Sequence, residues 1–230
     1  MDATKRFEDA EWYTEMRGSP VMIGGLGAIG SWIALFLARI GVEITAFDPD
    51  VVEEHNLGGQ LYFRSSIGHN KAEAVREVLH RLCDFLHMNS ISARFERNSM
   101  GCNICVAAFD NMKSRKDMFE NWLEYMQGSS SEQGIFIDGR LLMESFEIFM
   151  VDFTNKEHIE RYKNYLFDDI EVKEEPCSAK ATSHCGAAIA AFITGGITNW
   201  ITNTMVYQSP VREVPFRTLL DMALFNLTTE

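Results

Sequence analysis

The run VMIGGLGAIGSWIALFLARIGVEITAFDPD, from Val21 to Asp50, constrains this chain more than any other stretch. VMIGG is apolar and short, fit for a buried strand. AIGSWIALFLARI is a helix apolar almost all round, and VEITAFD is a second, β-branched strand ending in Asp48. Gly25, Gly27 and Gly30 fall between strand and helix as G-x-G-x-x-G. In such a turn the first glycine bends the chain, the second lets backbone approach a phosphate, and the third lets helix and strand pack closely. Amides at the positive helix end then face an anion. Alone, the motif also describes a strand–helix contact that holds no ligand. Asp48, at the tip of the next strand, tips the reading toward a nucleotide site, where its carboxylate would accept hydrogen bonds from ribose hydroxyls.

The remaining chain keeps alternating. NKAEAVREVLHRLCDFLHM (70–88) is an amphipathic helix with Ala74, Val78, Leu82 and Phe85 on one face. Strands follow in ISARFER (91–97) and NICVAAFD (103–110), then a helix over 112–126, a loop over 128–134, strands in IFID (135–138) and ESFEIFMVDF (144–153), and a helix over 155–167. The pattern predicts an α/β fold: a Rossmann-like, mostly parallel sheet covered by helices on both faces. We read 1–230 as a single domain, with an N-terminal helix (4–17) and a flexible acidic loop near 167–183. AAIAAFITGGITNWI (187–201) looks too short and too rich in Gly, Thr and Asn to span a bilayer, which predicts a buried helix and no membrane role. The last twenty residues are expected to pack back on the core.

A formal charge of −12 argues against nucleic acid as a partner, because phosphate backbones are gripped by clustered Lys and Arg. The N-terminal residues carry charges of both signs and no apolar run, and five cysteines fit reduced thiols, so a cytoplasmic setting is expected.

Further polar motifs follow Asp48, and a nicotinamide enzyme would have no use for them. Asp48-Pro49-Asp50 leads to Asn56-Leu57-Gly58-Gly59-Gln60, then to Gly68-His69-Asn70-Lys71 at a helix start. Lys71 is a compact cation able to reach a triphosphate. The strand ICVAAF ends in Asp110-Asn111, and a carboxylate at such a tip is where Mg²⁺ escorting ATP would sit.

Taken in order, G-x-G-x-x-G, D-x-D-x-V, N-L-x-x-Q, G-x-x-K and a late Asp-Asn resemble the ThiF/MoeB superfamily, which includes the ubiquitin-activating enzymes. IDGRLLMESFEIF (137–149), with Arg140 at its entrance, looks like the family's late strand pair. The resemblance implies an ATP- and Mg²⁺-dependent adenylyltransferase, acting as a homodimer on the C-terminal carboxylate of a ubiquitin-like protein, a sulfur carrier or a peptide. Residue by residue, it implies that Gly25, Gly27 and Gly30 lie under the nucleotide and that Asp48, with Asp50 beside it, binds ribose. Asn56, Gln60 and Lys71 would bind phosphates, and Asp110 would hold the metal. It further implies that Cys177, in the acidic loop, receives the activated acyl group, with Cys185 the alternative thiol.

The sequence departs from the family in one charged position. The family block reads N-L-x-R-Q, but here Gly59 replaces the arginine, and only Arg6 and Arg17 lie where a second family arginine would come from the partner. Arginines on a transferring phosphoryl group are worth roughly 10³–10⁵ in rate. Arg64, or backbone amides freed by the glycine pair, would have to replace it. Otherwise the chain is a nucleotide-binding scaffold for an active subunit. An NAD(P)-dependent oxidoreductase is a further alternative. Cys102-x-x-Cys105 begins a buried strand and reads as two small hydrophobes, so no zinc is expected.

Overall fold

The computed structural model describes residues 8–167, 182–206 and 210–230. β1 (Val21–Gly24) is buried at all four positions and forms the centre of a parallel set with β2 (Ile44–Phe47), β3 (Met88–Ile91), β4 (Ile104–Ala107) and β5 (Ile135–Leu142). β6 (Ser145–Asp152) turns back on β5 as a hairpin, and β7 (Arg217–Asp221) and β8 (Asn226–Thr229) continue antiparallel. The sheet runs β3-β2-β1-β4-β5-β6-β7-β8. It is the expected α/β arrangement, with its antiparallel portion larger than the sequence suggested. The last strands are short and preceded by Pro215, and they become strands because β6 offers them an open edge.

Helices cover both faces. α2 (Gly30–Ile40), α3 (Lys71–Cys83) and α6 (Ser183–Ile201) pack over Ile23, Ile44, Val106, Ile137 and Ile148. α4 (Met112–Gly128) and α5 (Lys156–Lys163) cover the opposite face, where Phe119, Trp122, Phe136, Phe149 and Tyr162 form an aromatic core. α1 (Tyr13–Arg17) ends at Gly18, as expected, but it is shorter than the expected helix over 4–17: residues 8–12 form turns, and residues 1–7 lie outside the described set.

Three expectations need correction. The strand anticipated at 91–97 lies instead at Met88–Ile91, because β2 has only four residues and Asp48 N donates the last bond, to Ile91 O. Beyond that point a longer strand has no partner. Of the residues expected on the apolar face of α3, Ala74 and Val78 are buried but Leu82 is exposed; Val75 and Leu79 bury in its place, and the helix ends at Asp84 in a left-handed conformation. The apolar C-terminal helix is also longer than 187–201. With a π-helical turn at Thr202–Val206 it spans 24 residues, long and apolar enough by composition to cross a membrane. In this fold 56% of its most apolar window is buried, mostly against α2, β5 and β6.

Candidate nucleotide-binding site

The strand order reverses at β1, whose neighbours β2 and β4 are reached by crossovers in opposite directions; ligands of open α/β sheets bind above such a point. The three glycines there have separate physical reasons. Gly25 takes φ +86°, and a Cβ on it would lie 2.7 Å from Ala108 O, so conformation and closeness both demand glycine. A Cβ on Gly30 would run into Gly25 O, which holds the helix start against the turn. On Gly27 a Cβ would meet nothing within 4 Å. Its backbone therefore borders open space.

The helix that follows is left uncapped. Asn70, Asn111 and Asn155 cap α3, α4 and α5 with their own side chains, whereas Ile29 at the N-cap of α2 supplies none. Of the first-turn amides of α2, Ser31 N already donates to Gly27 O at 3.2 Å, and its neighbours at the helix start are the amides that an anion would meet.

Asp48 binds this turn to β2. Its Oδ2 accepts from Leu26 N at 2.7 Å and its Oδ1 from Asp50 N at 2.9 Å. Burial pushes its pKa above the ordinary 3.8; the two amides and Lys71 pull the other way without overcoming it. Asn70 Nδ2 donates to Asp48 O and Asp50 O, both at 3.0 Å, which ties the start of α3 to the same tip. Lys71, nearly buried, places its ammonium 3.1 Å from the exposed Asp50 carboxylate. Gly25, Gly27, Gly30, Asp48, Asp50 and Lys71 therefore meet on one edge of the sheet.

The segment after Asp50 folds over the start of α2. Leu61 N donates to Ser31 Oγ, Tyr62 OH to Leu26 O at 2.5 Å, and Trp32 Nε1 to Gly59 O at 3.1 Å. Asn56 is buried and its Oδ1 accepts from Glu53 N, a local cap for the 3₁₀ turn Glu54–Gly58. Gln60 Oε1 is buried without a partner among the described residues. Gly59 N already donates to Asn56 O, and Arg64 pairs with Glu54 at the surface, 77% exposed. The Gly59 amide is thus occupied, and Arg64 is turned to a surface carboxylate.

β4 delivers Asp110 to the same edge. Ala108 N donates to Gly24 O at 2.7 Å, and two residues on Asp110 is exposed, bonded to Asn111 Nδ2. A cleft of about 550 Å³ opens beside it, between Arg94–Asn98 and the first turns of α4. Behind it lies a cluster that was missed in the sequence. Buried Arg115 donates to Phe109 O, to Gly139 O and to the Asp138 carboxylate, which is fully buried on β5. Asp138 Oδ2 also accepts from Arg140 Nε at 2.8 Å and Tyr162 OH at 2.9 Å. A signal existed. Arg115 stands in the stripe Arg115-Met118-Phe119-Trp122, a charge where helical spacing asks for an apolar residue.

Cys177 and Arg6 lie outside the described residues. Cys185 is fully buried in the first turn of α6. Cys105 is buried in β4, and burial pushes its thiol pKa well above the usual range.

Residues 3–219 match the ThiF family. The chain belongs to the ThiF family. Its curated relatives include the ATP-dependent ubiquitin transferase-like protein Cap2 of Enterobacter hormaechei, 37% identical over 86 residues, which are 37% of this chain and 14% of that protein. Another is the molybdopterin-synthase adenylyltransferase of Salmonella typhimurium, 27% identical over 117 residues, 48% of this chain and 47% of that protein. The chain thus spans less than half the length of these relatives. Among solved structures, E. coli MccB with ATP aligns over 100% of this chain and 70% of its own, with a TM-score of 0.70 and 16% identity, a likeness of fold.

Proposed function

We propose that this ThiF-family chain is an ATP-dependent adenylyltransferase that activates the C-terminal carboxylate of a ubiquitin-like protein, a sulfur carrier or a peptide. The supporting observation is the edge where open backbone at Gly27 adjoins an uncapped helix start, with Asp48, Lys71 and Asp110 around it. Those groups suit a nucleoside triphosphate: amides for phosphate, a carboxylate for ribose, an ammonium for the outer phosphates. Asp110 would hold Mg²⁺, which neutralises charge growing on phosphate oxygens. The acceptor carboxylate oxygen forms a bond to the α-phosphorus as the bond to pyrophosphate breaks. Lys71 and the α2 amides would stabilise the departing charge. Cys177 would then take the acyl group as a thioester, releasing AMP. We place this work in a homodimer in a reducing cytoplasm.

A second reading rests on Gly59 and Arg64. With the Gly59 amide bonded to Asn56 O and Arg64 paired to Glu54, a scaffold subunit that binds nucleotide for an active partner fits the same site. Thermal shift with ATP·Mg²⁺, ATP plus EDTA, and NAD tests the ligand: the first should stabilise most, and stabilisation by NAD alone would defeat both readings. ATP–pyrophosphate exchange with a candidate acceptor then divides enzyme from scaffold. If Arg64 swings in to replace the missing arginine, Arg64→Ala lowers that exchange; an unchanged rate removes Arg64 from the mechanism.

A further inference from the structure

Asp110 is exposed, and among the described residues its side chain has one bond, from Asn111 Nδ2 at 3.2 Å. Its direction is therefore set by Asn111 and by the backbone that carries them both. That backbone is pinned on the β1 side by Ala108 N to Gly24 O, and Asn111 caps α4 through Ser114 N. The carbonyl immediately before Asp110, Phe109 O, is held by Arg115 from the second turn of α4. The same guanidinium reaches Gly139 O at 3.1 Å and the Asp138 carboxylate, so one planar group joins the β4 tip to β5. Asp138 is in turn fixed by Arg140 and by Tyr162 OH. Such an arrangement exceeds what packing alone requires, because a buried arginine is costly unless every donor has an acceptor. The stripe it interrupts would accept a methionine or leucine.

We propose that Arg115 is a positioning residue: by holding Phe109 O against β5 it aims the Asp110 carboxylate at the metal–nucleotide site. This inference rests on the nucleotide reading above. Groups that orient a metal-binding carboxylate typically change metal affinity or activity about 10–100-fold when removed. A lysine at 115 keeps the positive charge near Asp110 but, having a single nitrogen, cannot engage Phe109 O, Gly139 O and Asp138 together in a fixed plane. The conservative variant therefore separates geometry from charge.

The test is ATP binding by isothermal titration, with Mg²⁺ and with EDTA, on wild type, Arg115→Lys, Asp110→Asn and Tyr162→Phe. Wild type should bind more tightly with Mg²⁺. Arg115→Lys should lose about tenfold of that metal-dependent gain while its affinity in EDTA moves less than twofold. Asp110→Asn should lose the gain as well, and the double variant should lose no more than the larger single. Tyr162→Phe loosens Asp138 without touching the β4 tip, so it should lower Tm yet keep the gain. A folded Arg115→Lys with the wild-type gain overturns the proposal, as does an equal loss in Tyr162→Phe, which would make the effect one of general stability. Wild type that fails to bind ATP at all would instead overturn the nucleotide reading.

Discussion

Asp138→Ala is the substitution this structure predicts most sharply. The carboxylate is fully buried and accepts from Arg115, Arg140 and Tyr162, one acid between two guanidinium groups. Nearby Glu147 lies 3.8 Å from Arg140 and also serves Arg217, so it cannot take over both arginines. Alanine would leave the buried Arg115 guanidinium without its carboxylate, where burial already lowers its pKa to about 10. Removing one partner of a buried pair costs about 3–5 kcal/mol, from a total stability of roughly 5–15 kcal/mol. With an unfolding entropy of about 2.1 cal/mol/K per residue over 230 residues, that is a fall in Tm of roughly 6–10 °C. Urea and thermal unfolding followed by circular dichroism would measure it. Replacing the cluster as a whole, Asp138→Leu with Arg115→Met, Arg140→Met and Tyr162→Phe, should recover most of the loss, since apolar substitutes for buried ion pairs are often neutral. A fall below 2 °C for Asp138→Ala, with an unchanged urea slope, would refute the claim that Asp138 compensates both arginines.

Gly27→Ala should leave Tm within about 1 °C, because its Cβ meets open space, yet weaken ATP binding at least tenfold by obstructing the backbone; Gly30→Ala should destabilise by about 1–3 kcal/mol through its clash with Gly25 O. Differential scanning fluorimetry with and without ATP separates the two. Lys71→Ala breaks an ion pair whose acid is mostly exposed, so stability should fall by no more than about 1 kcal/mol while pyrophosphate exchange drops about 100-fold. For Asp48, burial raises the folded pKa above 3.8, so the folded state holds its proton more firmly than the unfolded chain. Its contribution to stability is greatest in acid and declines as pH rises from the unfolded pKa through the folded one, whereas ATP affinity should climb over the same window as the carboxylate ionises. Asp48→Asn should abolish both trends in unfolding and binding titrations run upward in pH from the unfolded value of 3.8.

Much of the candidate site was legible because the signals that mark it are local. G-x-G-x-x-G between strand and helix, an acid at the next strand tip, and a lysine at a helix start can each be read from a few neighbouring residues, since backbone sterics and helix polarity act over that range. The sequence alone therefore determined the parallel βαβ half, the glycine turn and the neighbourhood of Asp48, Lys71 and Asp110. Tertiary structure decided what depends on distant partners. β3 stops at Ile91 because β2 is short, β7 and β8 form because β6 has an edge to offer, and Asn56 caps its own turn although its family block suggested a phosphate ligand. Asp138 and Arg140 share β5, but Arg115 comes from α4 and Tyr162 from α5, and no local pattern joins the three elements. Only the fold removes water from Arg115, Asp138 and Tyr162 at once, with Arg140 partly buried beside them, and that desolvation is what makes their charges matter.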